Sequence, residues 1–222
     1  MPSIAVENYL KTLYLAQQKR VGKSLVPMGE LALAMAVTPG TATSMVKHLS
    51  GQSLVDYQPR EGVRLTRAGS KLALKVLRRH RLVEVFLVEV LGLDWTEVHE
   101  EAEELEHAIS DKLLDRFDAF LGYPQFDPHG DPIPSAKGMR KHAELVCLAD
   151  APRNQAMRVA RIKDQDPDFL RFLERSRLTP GDRVVVTACE PAADAITVEP
   201  HDQKPVTLGV GAAQKIMLRP MH

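Results

Sequence analysis

His99, Glu103, Glu106 and His107 stand at i, i+4, i+7 and i+8, a spacing that lines imidazoles and carboxylates along one stripe of a helix. An apolar stripe, Val98, Ala102, Leu105, Ile109 and Leu113, runs beside it. Carboxylates bordering a buried seam are costly to desolvate unless a positive charge compensates them, and a divalent cation does so. His80 and Glu84, at i and i+4 on a preceding helical stretch, form a two-ligand clip. Mixed imidazole and carboxylate ligation without a nearby thiol favours manganese, ferrous iron, zinc or cobalt over copper(I). The competing reading is a solvated acidic face with incidental histidines.

Spacing also tests two enzymatic readings. Glu104 and His107 make a Glu-x-x-His pair, as in ferritin-like di-iron carboxylate bundles, but that chemistry needs a second such pair and four long helices, which the sequence lacks. The zinc-protease pattern His-Glu-x-x-His fails, because His99-Glu100 is followed by Glu103 where histidine is required. The chain is therefore expected not to be an enzyme and to have no small-molecule substrate, with a di-metal carboxylate oxidase as the weaker alternative.

Long helices must carry these residues. Thr66 caps a helix running toward Leu91, Gly92-Leu93 interrupts it, and Asp94 with Glu97 three residues on starts another long helix through the His99 to His107 stripe. A short connection of this kind lays the two helices antiparallel. Upstream, Val6, Leu10, Leu13 and Tyr14 mark a helix from Ile4 to Gln18, ahead of a Gly22 to Pro27 break and a shorter helix from Met28 to Ala36. Thr38-Pro39 then supplies an N-cap followed by proline at the first helical position. In the third helix Ala42, Met45, Val46 and Leu49 form the inner side. Thr38, Gly40, Thr41, Thr43, Ser44, Lys47 and His48 are left outward: small polar groups able to approach base edges, and cations for phosphate. Leu54 to Tyr57 and Val63 to Leu65 read as strands joined by Pro59-Arg60-Glu61-Gly62, which places Arg60 and Arg64 on a wing. This is a winged helix-turn-helix pattern; its rival is a three-helix interaction module that does not depend on metal.

The 222 residues carry no net formal charge, but the average hides a polarity. Residues 1–82 hold thirteen Lys/Arg against four Asp/Glu, and residues 83–131 hold two against fourteen. A basic N-terminal third suits a polyanion and an acidic middle suits hard cations. The longest apolar stretch, Leu82 to Leu93, is interrupted by Glu84 and Glu89 and is too short to span a bilayer. The N-terminus shows no basic-then-apolar signal, so a cytoplasmic chain with no membrane partner is expected. Cys147 and Cys189 make neither a disulfide framework nor a Cys-x-x-Cys site and read as buried thiols.

The run Arg79-His80-Arg81-Leu82-Val83-Glu84, then Gly92-Leu93-Asp94, Val98-His99-Glu100-Glu101-Ala102, Glu106-His107 with Ser110-Asp111, and Asp127-Pro128-His129-Gly130-Asp131-Pro132-Ile133-Pro134 resembles the diphtheria toxin repressor and manganese transport regulator family of metal-dependent repressors. The resemblance implies a mainly α chain: a winged helix-turn-helix DNA-binding domain at 1–65, a helical dimerisation and metal-binding domain at 66–143, and two metal sites. In the ancillary-type site the implied ligands are His80, Glu84 and His99, with Gln165 and Asp168 as polar ligands from a C-terminal domain. In the primary site they are Glu103, Glu106 and His107, with Asn8 where better-known members have methionine or aspartate and Glu7 as its substitute. Lys11 stands where a manganese-specific member has glutamate. Glu103 in place of cysteine removes a soft ligand and tilts the choice to manganese, with ferrous iron second and zinc or cobalt binding in vitro.

Beyond Pro152 the pattern turns to short strands: Met157 to Ile162, Val184 to Val186, Ile196 to Val198, Val206 to Leu208 and Lys215 to Leu218, with a helix over Pro167 to Arg175. With Leu178-Thr179-Pro180-Gly181 this resembles the small SH3-like β-barrel, akin to ferrous-transport accessory proteins, of longer family members, here at 144–222. The resemblance implies a homodimer on palindromic double-stranded operator DNA, in which metal tethers the first helix to Glu103, Glu106 and His107 and fixes the spacing of two recognition helices. Metal-homeostasis genes are its expected targets.

Overall fold

The computed structural model describes residues 3–20, 25–135, 138 and 144–221. Gly22 in the first break, and the boundary expected at 143, lie outside the described residues. The chain divides into two compact units: the described residues of Met1–His80, Glu106–Ile109 and Pro134–Met139, and those of Arg81–Leu105, Ser110–Ile133 and Arg140–His222.

The first unit begins with α1 (Ile4–Gln18), α2 (Met28–Ala34) and α3 (Pro39–Gly51). Ser3 and Thr38 accept the N–H groups of Val6 and Thr41, satisfying donors that helix starts leave unpaired. Two strands follow, β1 (Val55–Gln58) and β2 (Gly62–Leu65), antiparallel with Val55 opposite Leu65, and Val26 bridges to Val63 beside them. Leu10, Leu13, Val26, Leu31, Ala42, Val46, Leu49 and Val63 close one core, each large aliphatic stabilising the fold by roughly 2 kcal/mol. α4 (Arg67–Glu89) follows, and its residues are divided between the two units. Thr66 Oγ1 accepts the Gly69 N–H at its start, as the sequence reading places it.

In the second unit the expected long helix after Asp94 is instead two helices, α5 (Val98–Leu105) and α6 (Asp111–Phe120). Ser110 ends the continuity: its hydroxyl accepts the Leu113 N–H and starts a new helix, a local preference that outweighs the continuing apolar period. Glu106 and His107 therefore lie in the turn after α5 rather than on its stripe, and Leu105 and Leu113 are exposed rather than buried.

β3 (Val146–Cys147), β4 (Ala156–Ile162), α7 (Pro167–Arg175), β5 (Arg183–Glu190), β6 (Ala195–Pro200), β7 (Val206–Gly209), α8 (Val210–Ala213) and β8 (Ile216–Pro220) complete the chain. The strands form one antiparallel sheet in the order β3-β8-β4-β5-β6-β7, an SH3-like arrangement in which no pairing closes β3 onto β7 among the described residues. Alternate residues of β4, β5 and β6 point inward to a core of Met157, Val159, Val184, Val186, Ile196 and Val198, closed by Leu170 and Leu173 of α7. Cys147 and Cys189 are half-buried free thiols. No described helix is long and apolar enough to cross a membrane.

Candidate functional site

α4, α5 and the loop after α6 bring a buried cluster together in the second unit. Glu84, from α4, has no exposed side-chain surface, and its Oε1 lies 3.4 Å from His99 Nδ1 of α5 and 3.9 Å from His129 Nδ1 of the loop. Glu84, Asp127 and His129 each offer a ligand atom within 4.8 Å of one another. Glu103, one turn beyond His99 on α5, places Oε1 3.6 Å from His99 Nε2.

The polar groups of the loop are answered within the unit. Asp127 Oδ1 accepts the N–H groups of His129 and Asp131, both at 2.9 Å, and Ile162 N–H of β4 donates to His129 O. Gly130, at φ +84°, lies so close to β4 that a Cβ there would stand 2.0 Å from the Ala160 carbonyl oxygen. His129 Nε2 donates to the Trp95 carbonyl at 2.9 Å, which puts the ring proton on Nε2 and turns the Nδ1 lone pair toward Glu84. Gln165 Nε2 stands 3.3 Å from that Nδ1.

Charge sets what this pocket can hold. Arg81 lies 3.4 Å from Asp127 and 3.1 Å from Asp131, and Arg161 lies 2.6 Å from Asp131. Two guanidiniums thus pair with Asp127 and Asp131. Burial first, then Asp131 and Glu84, push the Asp127 carboxyl well above its usual range against the pull of Arg81. Burial holds the His129 imidazole below its usual range despite Glu84, so it is neutral and fit to ligate. A divalent cation fits: it would take the place of the proton that burial favours on Asp127, with oxygen and nitrogen donors suited to a hard or borderline ion.

The first unit gathers the other candidates, in a different balance. Glu106, fully buried, accepts from Lys11 Nζ at 2.6 Å on Oε1 and from His80 Nδ1 at 2.7 Å on Oε2. Glu7 engages Arg79 Nη1 at 3.2 Å and His107 Nδ1 at 2.7 Å. Asn8 Oδ1 and His107 Nε2 are buried without a hydrogen-bond partner, although His107 Nε2 is 3.3 Å from Glu106 Oε1. These residues do not fit a divalent ion as they stand, because the positive charge on Glu106 is already that of Lys11. Asp168 is exposed over 95% of its side chain and pairs with Arg171, while Gln165 reaches His129. Sequence reasoning missed Asp127, His129 and Asp131 as site residues; three polar or charged side chains around Gly130 in one short loop were the available signal.

On α3, Gly40, Thr41, Ser44, Lys47 and His48 are exposed. Thr38 is committed to the cap, Thr43 Oγ1 donates to the Pro39 carbonyl at 2.7 Å, and His48 Nε2 lies 3.0 Å from Gln52 Nε2. Arg60 is exposed at the tip of the hairpin, whereas Arg64 pairs with Asp56 across it at 3.1 Å.

Three family models match the chain: the iron-dependent repressor N-terminal DNA-binding domain over residues 3–63, the iron-dependent repressor metal-binding and dimerisation domain over 66–135, and the FeoA domain over 146–220. The iron-dependent repressor IdeR of Mycobacterium leprae is 30% identical over 216 residues, covering 91% of this chain and 91% of that protein. The structure of a manganese-dependent transcriptional repressor in complex with manganese shares 40% identity at a TM-score of 0.88, over 97% of this chain and 100% of the other. That of ScaR with bound zinc shares 33% identity at a TM-score of 0.81, over 99% and 100%.

Proposed function

This chain belongs to the iron-dependent repressor family of metal-dependent transcriptional regulators, and we propose that it acts in the cytoplasm as a homodimer that binds palindromic operator DNA when manganese, or in second place ferrous iron, is bound. It has no catalytic role. Its three functional segments are the DNA-binding residues 1–65, the dimerising and metal-binding residues 66–143 and the SH3-like residues 144–222.

The buried cluster of Glu84, Asp127 and His129 carries this reading, because its ligand atoms lie within 4.8 Å of one another and its oxygen and nitrogen donors suit manganese. His99 and Glu103 flank it, and Gln165 holds the imidazole of His129. Glu84 stands one turn beyond His80 on α4. The exposed Gly40, Thr41, Ser44, Lys47 and His48 of α3 would enter the major groove, and Arg60 would reach flanking phosphate. Thr38 and Thr43 shape the start of that helix, and Arg64 braces the wing.

Fluorescence anisotropy of a labelled candidate promoter, with and without manganese, tests this. Manganese is expected to tighten binding by shifting dimers toward the DNA-competent geometry, and DNA must tighten manganese by the same factor. Equal retention in chelator and in manganese would favour a metal-independent winged-helix protein.

A further inference from the structure

Lys11 lies one helical turn beyond Glu7 on α1, so one face of that helix presents an acid and a base to the turn holding Glu106 and His107. Only 7% of the Lys11 side chain and none of that of Glu106 is exposed. Both oxygens of Glu106 are met by nitrogen, from Lys11 and His80, and both of Glu7 by Arg79 and His107. Two carboxylates are thus balanced by an ammonium and a guanidinium. A divalent ion placed here would meet an ammonium at close range where little water screens the repulsion. The Glu84 cluster differs: Glu84, Asp127 and His129 there offer ligand atoms within 4.8 Å of one another.

We propose that the Lys11 ammonium is the resident cation of the Glu106 cluster: it fastens α1 to the Glu106 turn without metal and leaves the Glu84 cluster as the site that takes the divalent ion. Lys11 is then a positioning and selectivity residue. It sets how many ions each chain takes, and it pre-assembles a joint that would otherwise wait for metal. The consequence for DNA rests on the repressor reading, whereas the cation assignment does not.

Equilibrium dialysis of the full chain against manganese alone, with metal counted by mass spectrometry, is the test. One ion per chain is expected for the wild type and for Glu106→Gln, and two for Lys11→Glu, in which a carboxylate joins Asn8 Oδ1 and His107 Nε2. Two ions in the wild type, falling to one in Glu106→Gln, would overturn the proposal. Should Lys11→Glu not fold, thermal melts in chelator decide: Lys11→Met, which leaves Glu106 buried without its cation, is expected to lower Tm by roughly 6 °C or more, and an unchanged Tm would overturn the proposal. A wild type that takes no manganese would reject the metal-dependent reading, while the same melt still judges the lysine clamp, so the two failures are distinguishable.

Discussion

A carboxylate as deeply buried as Glu84 is costly unless its charge is answered, and a metal ion held together with Asp127 and His129 would answer it. Glu84→Gln keeps the shape and removes the charge, so it is expected to lower manganese affinity at least about tenfold and to abolish manganese-dependent DNA retention while leaving the metal-free melt intact; retained manganese dependence would reject the site. On α3, Lys47→Ala should weaken binding across sequences and lower the magnitude of the salt slope by about 1, read from anisotropy at several salt concentrations. As candidates, Glu84 with His80 and His99 with Glu103 were legible in the sequence because helical spacing announces a shared face. Asp127 and His129 were not, since a candidate ligand in a loop has no periodicity and its position depends on Gly130 fitting against β4. Asp168, read from resemblance alone, faces solvent beside Arg171.

Helix ends decide where the candidate ligands stand. Asp94 Oδ1 accepts the Thr96 N–H at 2.8 Å, and this backbone hydrogen bond holds the Asp94 carboxyl below its usual range. A lowered carboxylate contributes stability above its unfolded pKa of about 3.9 and loses it as pH falls through the folded value. Asp94→Ala should therefore cost about 0.5 kcal/mol near neutrality, with the gap to wild type narrowing below about pH 4 in denaturant titrations. Gly130→Ala should cost roughly 3 kcal/mol or more, seen as a lower denaturation midpoint, because the new Cβ meets the Ala160 carbonyl at a left-handed backbone position. The starts of α3 and α4 were legible from Thr38-Pro39 and Thr66, and that of α7 from Pro167, where side chain and proline act locally. The break between α5 and α6 was masked by apolar residues that continue the helical period across Ser110.

Across the whole molecule, the order of winged helix, metal-binding helices and SH3-like sheet was legible in charge and periodicity. The division into two compact units was not, because Glu106–Ile109 joins the N-terminal unit through contacts distant in sequence, such as Glu106 with Lys11. Manganese at a hundred times its Kd should stabilise the unit that binds it by about 2.7 kcal/mol, a rise in Tm of roughly 5–10 °C by calorimetry. The same unit also carries its own optical reporter. Trp95 is the one tryptophan in the chain; its ring centroid lies 5.5 Å from that of His129, and its carbonyl accepts that histidine's proton. A paramagnetic ion on His129 Nδ1 would quench indole emission, whereas diamagnetic zinc at the same atom would leave most of it, so native fluorescence alone can follow which ion arrives and at what concentration, with no label on the protein.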